Sequence, residues 1–552
     1  MKNQPTLRLA TASARASASA SASASAILLV LLGAGCASIN KTEVADVLIT
    51  NGRIVDGSGN NWARGSVAIR DGKIIRIGNA GNFDNVRASR TIDANNRIVA
   101  PGFIDVHAHI EFGLFETPTT DNFIHNGVTT VITGNCGGSA DSLKEFFAKI
   151  DSSRTSINVA SLVGHNTVRR QTMGLANRPA TADDQRKMEA LVETAMKDGA
   201  VGLSTGLIYL PGVYSDTAEV VGLAKVAAKH RGLYASHIRN EGNKVTEAIN
   251  EALDIGRAAN MPVQVSHFKV SAPANWGRSR ETLELIEQAR RDGLDVTIDQ
   301  YPYTASSTSL SVMLPEWAME GGNDDIKKRL IDPATRSKIA AEMLRNANAS
   351  KRPNFAYAVV ARHAADPSLN GQSIAAINLA HGRPAGLVPE IETMLDLMIA
   401  GGAQMVFHGM SEDDVKYFMA YPFNMIGADG GVQNGKGQPH PRSYGTNARV
   451  LGKYVREEKV IRLEDAVRRM TSLAAQKFQL KDRGLLREGF AADIVIFDET
   501  TVADKATFEQ PHQFSVGFDY VLINGVVTAE NGKHTGARNG QALRGPAYVA
   551  QR

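Results

Sequence analysis

Residues 102–109 read GFIDVHAH. A short apolar run of strand length ends in two histidines at i and i+2, a spacing that on a strand turns both rings to the same side. Downstream, short apolar runs keep recurring: VTTVITGNC (128–136), INVASLVGH (157–165), AVGLSTG (200–206), LYASHIR (233–239), PVQVSHFK (262–269), DVTIDQYPY (295–303) and FNMIGADG (423–430). Helical stretches at 183–198, 217–231, 243–259 and 279–292 separate several of them. Apolar strands alternating with helices are the mark of βα units around a parallel sheet, and eight such units predict an α/β fold built on a (β/α)8 TIM-type barrel.

The metal-capable side chains gather at the C-terminal ends of these strands, where barrel enzymes place their chemistry. The first strand ends with His107 and His109 and the second with Cys136; the fifth carries His237, the sixth His267 and the eighth Asp429. Any one of them alone reads as a hydrogen-bonded core residue or an ordinary turn. Five strands sending such residues to one mouth predict a metal site. Imidazoles, a thiolate and a carboxylate suit Zn2+, which keeps an open coordination position and lowers the pKa of water from 15.7 to about 7. Asp429 is then the natural general base, taking a proton from water and returning it to the departing amine.

Outside the barrel, residues 45–100 hold alternating runs (VLITNGRIVDG, SVAIRDGKIIRIG, RTIDANNRIVAPG) broken by Asn-Gly and Asp-Gly turn signals, and AADIVIFD and YVLINGVVTAENG answer them near the other end. These predict a small β-sandwich domain from both chain ends (41–100 and 485–545) flanking a barrel over 101–484. Residues 310–395 are too long for a single connection and predict an inserted subdomain between strands 7 and 8.

Residues 1–36 form a targeting segment: a basic start, a Ser-Ala run, then AILLVLLGAG ending at Cys36, an apolar run too short to span a bilayer. Small residues before Cys36 resemble a bacterial lipoprotein signal, although Gly33 stands where leucine is commoner. The expectation is an exported, periplasm-facing lipoprotein anchored at Cys36, with Ala37 favouring the outer membrane because no aspartate follows the cysteine. Lys2, Arg8 and Arg15 lie in this segment, so the remaining chain has 58 basic and 57 acidic residues and no excess charge for a nucleic-acid partner. With Cys36 lipidated, Cys136 has no disulfide partner, and a bound metal explains how its thiol survives an oxidising compartment.

At these residues the chain resembles the amidohydrolase superfamily, and within it the N-acyl-D-amino-acid deacylases (D-aminoacylases). PGFIDVHAH, GVTTVITGNCG, GLSTGLIYLPGVYS, SHIRNEG, SHFKV, DQYPYTASST, MIGADGG and HPRSYGTNARVLG carry the likeness, together with the long run AVRRMTSLAAQKFQLKDRGLLREGFAADIVIFD. The resemblance implies a distorted barrel and a small-molecule N-acyl-D-amino-acid substrate. It implies one tightly held zinc on Cys136, His237 and His267, and a weaker second metal position near His107, His109, Cys136 and Asp429. It makes Asp429 the catalytic acid/base, and Lys269, Tyr301 and Arg442 the residues that hold the substrate's α-carboxylate. Arg442 suits that task physically, since a guanidinium binds a carboxylate through two parallel hydrogen bonds. Asn240 in SHIRNEG and Phe268 in SHFKV depart from the family pattern at non-ligand positions, an expected influence on side-chain preference.

Three other readings share parts of this pattern. A D-specific dipeptidase or amidase acting on cell-wall fragments uses the same chemistry with another leaving amine. A cyclic-amide hydrolase of the hydantoinase or dihydroorotase kind calls for a carboxylated lysine on the fourth strand, and AVGLSTG has none. An inactive binding module is disfavoured by the presence of all six ligand-type residues.

Overall fold

The computed structural model describes residues 42–550. The segment 1–36 and Cys36 lie outside the described residues. Eight parallel barrel strands run in chain order: β1 (Phe103–Asp105), β2 (Val128–Thr133), β3 (Asn158–Ser161, resuming at Val163–Gly164), β4 (Gly202–Gly206), β5 (Leu233–His237), β6 (Val263–Val265), β7 (Val296–Gln300) and β8 (Asn424–Ile426). Every residue of β1, β2 and β4 to β8 is buried. Parallel strands covered on both faces read as continuous apolar runs for this reason.

The barrel is not uniform. One arc pairs β1, β2 and β3, and a second runs from the resumed part of β3 through β4, β5, β6 and β7 to β8. Between β8 and β1 a single parallel bridge, Ala108 to Gly430, replaces a ladder. Asp429 N donates to His107 O at 2.7 Å, and His109 N to Gly430 O at 2.8 Å. Below them the buried Asp105 carboxylate accepts from His107 N and Ala428 N, both at 3.0 Å. The seam closes only where backbones can touch: a Cβ on Gly427 would sit 2.6 Å from His107 Cβ. The seam therefore lies at the level of His107, His109 and Asp429.

Helices on the outside are terminated by ordinary local chemistry. Ala182–Asp198 starts at a reciprocal cap, in which Thr181 Oγ1 accepts from Asp184 N and Thr181 N donates to Asp184 Oδ2, and it ends at Gly199 with φ 118°. Val245–Ala259 ends at the left-handed Asn260. Ser279–Arg291 turns Leu283, Ile286 and Ala289 inward, the i, i+3, i+6 stripe of a helix lying on a sheet.

A nine-stranded sheet stands beside the barrel, and its centre joins the two ends of the chain: Ile494–Phe497 pairs antiparallel with Ile98–Pro101. Ile49, Val67, Ile69, Val99, Ile494, Ile496 and Leu522 share its core. Residues 540–545 leave this sheet and run along β3, where Val159 N donates to Gln541 O at 2.9 Å. Between β7 and β8 the chain builds a separate unit on a three-stranded antiparallel sheet of Ala305–Ser309, Ala403–His408 and Ala358–His363. Helices including Pro333–Ala349 and Leu387–Ile399 cover it, and Ile339, Met343, Phe355, Ile377 and Met394 fill its own core.

Candidate metal centre

The six predicted ligands converge. Donor atoms of Cys136, His237 and His267 lie within 4.8 Å of one another, as do those of His107, His109, Cys136 and Asp429, so Cys136 belongs to both groups. His267 Nε2 is 2.6 Å from His237 Nδ1 and 3.5 Å from Cys136 Sγ. His107 Nε2 is 3.2 Å from the same sulfur. Asp429 Oδ1 lies 3.1 Å from His109 Nε2 and 3.5 Å from His107 Nε2.

Three of the predicted ligands occupy backbone conformations that side-chain-bearing residues seldom adopt: Cys136 at φ 52°, His267 at 35° and Asp429 at 50°. Such residues cost about 1–3 kcal/mol each and persist where the surroundings over-determine them. Here they do. Asp299 Oδ1 accepts from His267 N at 2.9 Å, His107 O accepts from Asp429 N, and Gly137 beside Cys136 has φ 75°, where a Cβ would meet Asn166 Oδ1 at 2.0 Å. Each strained turn brings a predicted ligand into the cluster as its strand ends.

Two carboxylates that the motif reading did not single out orient the imidazoles. Asp299, fully buried in β7, faces His107 Nδ1 at 3.2 Å and takes the Gln264 amide at 2.5 Å on its other oxygen. Glu241 Oε1 lies 3.0 Å from His267 Nδ1 and 2.5 Å from Lys269 Nζ. Both arrangements leave Nε2 of the histidine free to bind a metal, the usual carboxylate–histidine–metal order. A signal existed in each case: Asp299 sits within the strand run DQYPY, and Glu241 lies four residues past His237 in SHIRNEG. Tyr209 also belongs to the site. Its ring packs edge-on to His237 at 4.7 Å, and its hydroxyl accepts from Thr308 at 3.0 Å.

The electrostatics suit a cation. Burial raises the pKa of the Cys136 thiol, but the imidazoles of His107 and His267 outweigh it and hold the group well below the thiol range. For Asp429 burial is likewise overcome, first by Arg442 and then by His107, so the carboxyl stays ionised. A thiolate, converging imidazole nitrogens and a carboxylate, with second carboxylates behind two of the rings, form a donor set that fits zinc.

The expected substrate residues surround one ring. Arg442 lies 4.5 Å over the Tyr301 ring and Lys269 Nζ 5.6 Å from it. Tyr301 is 2% exposed, yet its hydroxyl has no partner. Arg442 Nη1 is 2.9 Å from Asp429 Oδ2 without hydrogen-bond angles. Lys269 is engaged by Glu241 and, at 2.7 Å, by His267 Nδ1. Of the two departures from the family pattern, Asn240 caps a turn through Gly242 N and Lys244 N, while Phe268 is buried edge-on against Phe418. Neither side chain joins the ligand cluster.

A parallel eight-stranded barrel whose mouth gathers four imidazoles, a thiol and a carboxylate defines a metal-dependent barrel hydrolase. The amidohydrolase family pattern matches residues 90–529, and the N-terminal domain of the urease alpha-subunit matches residues 32–99. An N-acyl-D-glutamate deacylase of Alcaligenes xylosoxydans xylosoxydans is 36% identical over 530 residues, 92% of this chain and 98% of the relative. A D-aminoacylase of the same organism is 33% identical over 522 residues, 90% and 97%. The crystal structure of N-acyl-D-glutamate deacylase from Bordetella bronchiseptica, complexed with zinc and a phosphonate inhibitor, superposes with a TM-score of 0.77 at 36% identity, covering 91% of this chain and all of that one. A D-aminoacylase structure gives 0.78 at 32% identity, also over 91% of this chain and all of that one. A D-hydantoinase, 18% identical with a TM-score of 0.53, shares the fold alone. The chain belongs to the amidohydrolase family, among the N-acyl-D-amino-acid deacylases.

Proposed function

We propose that this protein hydrolyses the amide bond of N-acyl-D-amino acids, releasing a carboxylate and a free D-amino acid, with zinc on Cys136, His237 and His267. His107 and His109, with Cys136 and Asp429, surround a second, weaker metal position. One observation carries the reading: the buried, unpartnered Tyr301 hydroxyl, on a ring flanked by Arg442 and Lys269, with Asp429 against Arg442, is a ready place for an α-carboxylate. Zinc bound by these residues supplies a Lewis acid and lowers the pKa of water.

The remaining chemistry belongs to the chain's own groups. Asp429 presents Oδ1 to the histidines and Oδ2 to Arg442, so it faces the metal ligands and the substrate-binding residues at once. Held ionised, Oδ1 takes a proton from water and later returns it to the departing amine. Arg442 and Tyr301 fix the carboxylate, and with it the hand of the α-carbon. Burial and then the neighbouring Cys136 push the Tyr209 phenol well above its ordinary pKa; since Thr308 donates to its oxygen, the phenolic proton is free to meet negative charge developing on the scissile carbonyl.

The decisive experiment offers the purified protein matched N-acetyl-D- and N-acetyl-L-amino acids and measures amine release and zinc content. D-preference with about one zinc per chain is the expected result; preference for the L series rejects the reading. We also propose export and lipidation at Cys36, on the strength of the basic start and of AILLVLLGAG before the cysteine. Fractionation should find the protein with membranes, and Cys36→Ser should release it to the soluble periplasm; a soluble parent protein argues against the anchor.

A further inference from the structure

His440 lies two residues before Arg442, is 2% exposed, and uses both ring nitrogens. Nε2 is 2.9 Å from Ala305 O, and Nδ1 is 3.0 Å from Arg442 N. A carbonyl only accepts and a backbone amide only donates, so the proton sits on Nε2 and the ring is neutral. Burial and the nearby guanidinium both hold its pKa well below the usual histidine range, consistent with that state. Tyr303 and Phe508 meet the ring edge-on at 5.2 and 5.0 Å and pack it on two sides.

The second grip is the informative one. Arg442 Nη2 donates to Ser307 O at 3.2 Å, and Ser307 lies two residues beyond Ala305 on the strand Ala305–Ser309. Carbonyls two apart on a strand point the same way. Residues 440 and 442 therefore clasp two successive carbonyls on one side of the same strand, with Pro441 stiffening the link. That strand is the edge of the inserted sheet and continues from Tyr301 and Tyr303 at the end of β7. The clasp sets the height of the guanidinium over the Tyr301 ring and its distance from Asp429.

We propose that His440 is a positioning residue for recognition of the substrate's α-carboxylate, locking Arg442 to the strand Ala305–Ser309 so that its remaining donors face the Tyr301 hydroxyl. This rests on Arg442 and Tyr301 being the carboxylate site. A buried histidine that merely fills space would serve stability without distinguishing substrates.

The test compares an N-acetyl-D-amino acid with the N-alkylacetamide that lacks its carboxylate, in the zinc-loaded enzyme and in His440→Phe, His440→Asn and Arg442→Ala. His440→Phe keeps the ring packing and loses both hydrogen bonds. It should raise KM for the carboxylate substrate about tenfold, with kcat falling less than about threefold and the carboxylate preference in kcat/KM dropping about tenfold. His440→Asn, whose amide oxygen replaces Nδ1, should recover part of that preference, and it serves alone if the phenylalanine variant does not fold. If both substrates lose activity equally, or KM is unmoved, the positioning role is overturned. If Arg442→Ala keeps the full carboxylate preference, the carboxylate site itself is misplaced. If Arg442→Ala loses it while the His440 variants retain it, only the role of His440 fails.

Discussion

Glu241 Oε1 lies 3.0 Å from Nδ1 of His267, on the opposite side of the ring from the Nε2 that approaches Cys136 and His237. A carboxylate there orients the ring and strengthens Nε2 as a donor. It also holds Lys269 at 2.5 Å, coupling a proposed metal ligand to a proposed residue of the substrate site.

Glu241→Gln keeps the size and removes the charge. Outer carboxylates of this kind are worth about 10–100-fold in metal affinity, so the variant should bind zinc that much more weakly in competition with a chromophoric chelator. Its fold, followed by far-ultraviolet circular dichroism, should be unchanged. Unaltered affinity would remove Glu241 from the metal-supporting shell.

Cys136 is the hinge of the cluster because it alone belongs to both donor groups. Cys136→Ala should lose most of the zinc measured by atomic emission after dialysis, and activity with it. Retention of a full complement would exclude the thiolate as a ligand.

Asp429 behaves differently, since the donor group of Cys136, His237 and His267 does not include it. Asp429→Asn should keep zinc and lower kcat by about 10²–10⁴-fold, the usual worth of a placed acid/base group. Near-normal turnover would transfer the proton to another residue.

The contrast among these residues explains what could be read before folding. The barrel was legible in GFIDVHAH and its seven successors because strands buried on both faces must be apolar throughout. The convergence of the six candidate ligands was legible because each lies at or within four residues of a strand's C-terminal end, so strand positions alone bring them to one mouth. Glu241 and His440 lie inside the motifs SHIRNEG and HPRSYGTNARVLG, but their roles were not legible, because each sits in a loop past the strand pattern. Their partners, His267 Nδ1 and Ala305 O, are set by how β6 and the inserted sheet pack. Residues 540–545 were assigned to the β domain for a similar reason: a short polar tail shows no periodicity that reveals its pairing with β3.

A last prediction lies away from the mouth, where Lys477 closes a helix beneath β7. Its side chain is 2% exposed, and Nζ donates to Asp295 O at 2.8 Å with the Asp295 carboxylate at 3.2 Å. Burial, opposed by Asp295, pushes the ammonium down from 10.5 to about 8. Between those two values the unfolded chain holds a proton that the folded chain has released, so stability rises with pH through this window. Below about pH 8 both states are protonated, and the fold bears the full cost of a buried cation, about 3 kcal/mol at 1.36 kcal/mol per pH unit. Lys477→Met carries no such cost. Denaturant unfolding of both proteins at pH 7, 8.5 and 10 should therefore show a stability difference that moves in favour of the wild type by about 2–3 kcal/mol as the pH rises. A difference that stays constant with pH would mean that Lys477 keeps an ordinary pKa in the fold, with Asp295 fully compensating its burial.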